Sequence, residues 1–268
     1  MINFDEQTNC LNCAAKLTSR FCGECGQEKV KRITLKALFK TAQRAILEFE
    51  SPFVHTVIKM TLQPGQVCKD YIEGKRARYF NPIKYSFWSI TFLVFLTAFT
   101  DQSLAEHYSF STSFDNNEFA TSMGRVIESS LLFLTFLNCV LYAAMLKLMF
   151  RKSAYNLTEL YLLALLPSAH VAWFTSLLLI LGQMNSQIGQ ILSFAIAIAF
   201  PLYAFTTFFT GSKFKVFIKS SCVSLVSFIL IGILTFLHTS IFLQYEEAEI
   251  QHKLEHVESE NQVETNKH

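Results

Sequence analysis

Charge is scarce in this chain, and so are the glycine-rich turns that build nucleotide sites. Only 16% of its 268 residues are Asp, Glu, Lys or Arg, against about 25% in an ordinary soluble domain. The nine Gly are scattered, so no stretch can cradle a phosphate. No HExxH, nucleophile elbow or dinucleotide fingerprint occurs either. Met1 to Glu6 offer no basic or apolar region of a cleavable signal, and none is expected. Together these absences argue against a soluble enzyme. A hydrophobic content of 51%, with 27 Phe, excludes a disordered chain. An integral membrane protein remains.

The apolar residues are concentrated between Ile83 and Leu243. A bilayer core of about 30 Å needs about 20 apolar helical residues, and five stretches meet or approach that length. They run from Ile83 to Thr100, Ser129 to Phe150, Leu157 to Leu181, Ile188 to Thr210 and Ser220 to Leu243. Cations tend to stay on the cytoplasmic side. With the N-terminus inside, the inner segments and Lys147 hold 20 of the 23 Lys and Arg, and the outer ones hold twelve carboxylates. The expected arrangement is an inner-membrane protein with its N-terminus in the cytoplasm and an acidic C-terminal tail outside.

Four of the seven Cys fall within sixteen residues, as Cys10-Leu-Asn-Cys13 and Cys22-Gly-Glu-Cys25. Two CxxC knuckles directed at one centre suit a closed, structural four-cysteine zinc site with no open position for a reacting water. Gly23 and Gly26 are expected to supply the unusual backbone angles of the knuckles. Cytoplasmic thiols stay reduced, which argues against disulfides. Cys68, Cys139 and Cys222 read as ordinary buried residues.

Between cysteines and membrane lies a basic bridge. Thr34 to Glu50 has a helical pattern with one apolar face, suited either to the headgroup plane or to packing on the spans. Ser51-Pro52 starts a second helix, Pro64-Gly65 turns the chain, and a short helix ends at Gly74. Lys75, Arg76 and Arg78 follow, just before the first span. They either set topology or bind anionic lipid headgroups, and the lipid reading requires an extended backbone there. They lie too near the bilayer for a nucleic-acid surface.

Cys10-x-x-Cys13, Phe21-Cys22-Gly-Glu-Cys25-Gly26-Gln27, Leu62-x-Pro64-Gly65, Tyr71-x-x-Gly74-Lys75-Arg76 and Tyr79-x-x-Pro82 resemble the membrane proteins grouped as domain-of-unknown-function family 3667. The resemblance covers residues 8–90 best and implies an N-terminal zinc ribbon, several spans and no assigned activity. Similar proteins often have a Glu-His pair opening the helix that matches the third span. Here Glu159 is followed by Leu160. The layout is also similar to five-span membrane proteins of the Yip type.

Ionisable residues inside a span are functional candidates by default. Lys147, Glu159 and His170 are these candidates, with a Glu159–Lys147 ion pair and a hydrogen-bonded interior His170 as the structural alternative. The expected fold is all-α: zinc ribbon 1–30, helical basic segment 31–82, five-span domain 83–243 and acidic tail 244–268. The expected function is non-enzymatic, with the ribbon recruiting or sensing a cytoplasmic protein partner. The alternative is a small transporter or lipid-handling protein that uses the polar residues of the third span.

Overall fold

Long apolar runs leave backbone amides no partner but their own helix once water is excluded, and the fold is helical accordingly. The computed structural model describes residues 7–31, 33–34, 52–100, 117–182 and 187–265. Among these it contains seven α-helices: α1 Phe53–Leu62, α2 Pro64–Ile72, α3 Pro82–Thr100, α4 Asn117–Met149, α5 Leu157–Ile180, α6 Gln187–Phe208 and α7 Lys213–Thr265. A 3₁₀ turn, Arg76–Arg78, links α2 to α3. The described residues hold no strand, only two isolated bridges near the cysteines. The amphipathic pattern expected from Thr34 to Glu50 falls almost wholly outside the described residues.

Among the described residues five helices are long and apolar enough to cross a membrane, and they coincide with the five expected stretches. The fifth runs further than its apolar core. Helix α7 begins at Lys213 and continues without a break through Gln244 to Thr265, so the last span and the acidic tail share one helix.

Helix α5 is the hub. It packs against α3, α4 and α6, while α7 closes the outer side against α4 and α6. Leu160, Leu163, Leu165, Leu166 and Ala169 are fully buried around it. Large apolar side chains such as Phe95, Phe133, Ile191, Leu225 and Phe236 instead point outward, the pattern expected where lipid is the solvent. Cys68 and Cys139 are buried as expected, but Cys222 is exposed because it lies on the outward side of α7.

The short helices α1 and α2 pack on each other and against α5, and α2 also against α6. Pro52 caps α1, and Pro64 opens α2 at its first turn, where its missing N–H costs nothing. The chain therefore turns at Gln63, one residue before the expected Pro64-Gly65. Phe53 meets Phe80, Tyr85 and Trp173 with ring centroids 5.3–6.0 Å apart. Thr56 accepts a hydrogen bond from the Phe80 amide at 2.8 Å, and Tyr203 donates to the Leu62 carbonyl at 3.1 Å.

Candidate metal centre

The cysteine module is a twelve-residue pattern used twice. The Cys10 amide donates to the Ala15 carbonyl at 2.7 Å, the Ala14 amide to Cys10 at 2.8 Å and the Leu17 amide to Thr8 at 2.8 Å. Twelve residues on, the Cys22, Gly26 and Lys29 amides donate to Gln27, Cys22 and Arg20 at 2.8, 2.9 and 2.7 Å. The bridges Asn9–Lys16 and Phe21–Glu28 repeat with the same offset. Two equivalent knuckles thus face each other and bring their sulfurs to one point.

Cys10 and Cys25 sulfurs are 3.6 Å apart, Cys13 and Cys22 3.5 Å, and all four lie within 4.8 Å of one another. Tetrahedral bonds of about 2.3 Å place sulfurs about 3.8 Å apart, so the cluster is the size of a four-cysteine metal site. Its charge balance agrees. The Gln27 backbone amide is the largest influence on Cys25 and draws its thiol down to about 6. The equivalent Ala15 amide also acts to lower Cys13, but local desolvation of its sulfur within the cluster and the three other thiols outweigh it and push Cys13, an exposed residue, up to about 12. Four thiolates this close repel one another; a divalent cation would let all four ionise together. These four residues can hold such an ion, and four soft thiolates select zinc or an iron–sulfur centre over hard cations.

The fourth residue after each first Cys adopts a left-handed backbone, φ +63° at Ala14 and +70° at Gly26. Gly23, expected to share that task, does not. At Gly26 a Cβ would meet nothing within 4 Å, so backbone preference alone separates Ala from Gly there. Ala14→Gly should therefore tighten the module and Gly26→Ala loosen it, each by about 1 kcal/mol. Competition against a chelator checks this, as roughly fivefold shifts of opposite sign in metal retention.

The module is fixed to the membrane domain rather than tethered beside it. Gln27, almost fully buried, donates to the Gly74 carbonyl at 2.9 Å and accepts from the Ala77 amide at 3.0 Å. Gly74 has φ +110°, and a Cβ there would strike Leu11. Asn156 donates to the Ile33 carbonyl at 3.0 Å.

The basic run takes part in this docking. Arg76 donates to the Lys31 carbonyl at 2.9 Å and to Tyr71 at 3.3 Å, and Arg78 to the Asn12 carbonyl at 3.4 Å. Lys75 pairs with Asp70 at 2.7 Å. Asp70 also accepts from Gln66 at 2.9 Å and from the Tyr79 hydroxyl at 3.0 Å. Burial is the largest influence on Asp70 and acts to raise its carboxyl, yet these donors together hold it below the ordinary value. The backbone over Arg76–Arg78 is a 3₁₀ turn, not the extended stretch that joint lipid binding by Lys75, Arg76 and Arg78 requires, because its carbonyls and amides serve the contacts with Gln27 and Tyr79.

Residues 50–95 match the family model of a protein of unknown function, DUF3667. The matched segment contains α1, α2, the 3₁₀ turn and most of α3, and it begins beyond the four cysteines. No curated protein and no solved structure matches the chain. The matched segment holds Gly74, Arg76, Ala77 and Arg78, on which the cysteine module sits.

Each of the three intramembrane candidates has partners of its own. Lys147 donates to the Tyr155 carbonyl at 2.6 Å. Glu159 closes a capping box, accepting from the Asn156 amide at 2.8 Å while its own amide donates to the Asn156 side chain at 2.8 Å. His170 lies three turns away along α5, a distance of about 16 Å. It is 1% exposed, stacked on Phe200 and met edge-on by Phe174. The Thr61 hydroxyl donates to Val57 at 2.9 Å, which leaves its oxygen to accept from His170 Nε2, also at 2.9 Å. Nδ1 then accepts from the Tyr85 hydroxyl. Both ring nitrogens are satisfied, and His170 ties α1, α3 and α5 together. Asn156-x-x-Glu159 ahead of an apolar run was a readable capping signature. Gln27 and Asp70 carried no local signal, since their partners are set by tertiary packing.

Proposed function

We propose that the chain is a non-enzymatic inner-membrane protein, N-terminus in the cytoplasm, whose structural zinc module recruits or senses a cytoplasmic protein partner. The observation that carries this reading is the division of the module into two faces. One face is consumed by docking through Leu11, Gln27 and Val30. The other displays Phe21, 53% exposed, with the Arg20 guanidinium 5.8 Å above its ring. An exposed aromatic with an arginine beside it is the residue chemistry enriched at protein interfaces. The 20 cations out of 23 on the module's side support a cytoplasmic setting. Four cysteines in two closed knuckles favour zinc in a structural role.

A photo-crosslinking residue placed at Phe21 in living cells tests the reading. The expected result is one discrete protein adduct that disappears in the Cys22→Ser/Cys25→Ser background. The same probe at Phe95, which is exposed on a span, should give no such adduct. Absence of an adduct from Phe21, or the same adduct from both positions, would overturn recruitment through this face.

A further inference from the structure

Helix α1 is divided into three sectors, and only one of them is explained by packing. Thr56 and Met60 face the protein and are fully buried. Val54, Ile58 and Leu62 are 53–64% exposed and fall within about 80° of one another at 100° per residue. His55 and Lys59 occupy the adjoining sector and open onto a groove of about 450 Å³, lined also by Gln63, Gln66, Asp70 and Arg78. A polar, cationic groove thus borders directly on an apolar stripe.

The level of α1 gives this arrangement meaning. Helix α3 has 19 residues, about 28 Å of helix, so it needs nearly its whole length to cross the hydrocarbon core. Its first turn, from Pro82, then lies at the membrane boundary. Phe80 and Tyr85 flank that turn and pack on Phe53 of α1. So α1 lies at the boundary too, where an outward apolar stripe meets acyl chains and the groove beside it meets headgroups.

The charge of the groove selects among headgroups. Asp70 is offset by Lys75 at 2.7 Å. Lys59 and Arg78 have no carboxylate partner among the described residues, which leaves two uncancelled cations. Arg78 spends one N–H on the Asn12 carbonyl at 3.4 Å and retains the rest of its fork.

We propose that this groove binds one anionic phospholipid, its phosphate held by Lys59 and Arg78 and its acyl chains lying along Val54, Ile58 and Leu62. The phosphate accepts from the Lys59 ammonium and the Arg78 guanidinium, with the Gln63 amide and the second N–H of the Gln66 amide, whose first serves Asp70, available to its remaining oxygens. Lys75 and Arg76 are committed to Asp70, Lys31 and Tyr71 and contribute field rather than contacts. The site depends on membrane insertion alone and stands apart from the recruitment of a cytoplasmic partner.

Native mass spectrometry of the full chain, delipidated in detergent, tests it by titration with phosphatidylglycerol and with phosphatidylcholine of the same acyl chains. Wild type should retain one phosphatidylglycerol in preference to phosphatidylcholine. Lys59→Gln should weaken phosphatidylglycerol binding about fivefold, and Lys59→Gln/Arg78→Gln about 25-fold. Binding of phosphatidylcholine should not change, and Lys152→Gln should behave as wild type. Val54→Ser/Ile58→Ser should weaken the lipid while leaving the charge preference. Lys59 lies on the groove side of α1, away from the buried Thr56 and Met60, so Lys59→Gln keeps the test valid even where the double variant undocks the module. Wild-type phosphatidylglycerol affinity in Lys59→Gln would overturn the proposal. Displacement of the lipid by equimolar inorganic phosphate, with no effect of the apolar substitutions, would identify a free-phosphate site and overturn the lipid assignment.

Discussion

Replacing Cys22 and Cys25 together by Ser is expected to remove the bound metal completely, from one equivalent per chain to none, and to release residues 7–31 from the membrane domain. The reason is that the segment has almost no apolar core of its own. Its described residues form no strand, and its buried apolar side chains are essentially Cys10, Cys22 and Val30. So little apolar surface cannot offset the entropy of ordering a segment of that length, about 1–2 kcal/mol per residue for the backbone alone. In small Cys-rich modules a structural metal supplies much of the folding free energy. Loss of the metal should therefore propagate to the docking contacts. Gln27 can bond Gly74 and Ala77 only while the Cys22–Cys25 knuckle holds it in place.

Metal analysis of the purified protein reads the first effect, and limited proteolysis within 7–31 reads the second. The spans should remain assembled, because α5 and its neighbours share no core residue with the knuckles. An unchanged metal content in the double variant would remove the site altogether. The same argument fixes a pH dependence. Thiolates bind metal and thiols do not, so retention should fall as acid protonates the sulfurs.

The parts of this fold that were legible in the sequence are those decided by solvent and by local spacing. Five apolar runs specify five spans because a bilayer permits little else. Cys10-x-x-Cys13 and Cys22-x-x-Cys25 bring four sulfurs together because each knuckle is closed by hydrogen bonds spanning four or five residues. The continuity of α7 was less legible. Composition changes abruptly at Gln244, but no Gly or Pro follows to stop a helix, and Glu, Gln and Lys propagate one well. The role of Arg76 and Arg78 was hidden for a different reason. Their acceptors are carbonyls 45 and 66 residues earlier in the chain, and a backbone carbonyl is present at every residue. Positive charge next to a span reads as topology or lipid contact whenever its partner is main chain. Glu159 shows the converse. An acidic residue at the mouth of a span reads as function, yet the local Asn156-x-x-Glu159 pattern assigns it to helix capping.

Gly65→Ala should destabilise the protein by about 2 kcal/mol or more, although the same change inside a helix ordinarily stabilises by about 0.5–1 kcal/mol. Gly65 is the second residue of α2, and the sequence places it in a Pro-Gly pair that suggests a turn. The structure gives it another reason. A Cβ there would lie 2.6 Å from the Phe208 amide nitrogen and 2.7 Å from the Thr207 carbonyl carbon. Both are backbone atoms of the last turn of α6, so no rotamer change relieves the clash. Thr207 is held by its hydroxyl, which donates to Tyr203 at 2.7 Å. Phe208 packs on Tyr155 with ring centroids 4.8 Å apart. Moving α6 away would therefore disturb the contact between α6 and the Tyr155 turn that precedes α5. Moving α2 away would instead strain the Gly74 turn against Leu11 and loosen the seat of the cysteine module. Thermal unfolding in detergent checks the sign against Gly232→Ala, where an added Cβ meets nothing within 4 Å and the helix gains propensity. A lowered midpoint for Gly65→Ala beside an unchanged or raised one for Gly232→Ala is the expected pair. Equal midpoints would mean that α2 and α6 are not in backbone contact, and the seat of α2 on α6 would have to be redrawn.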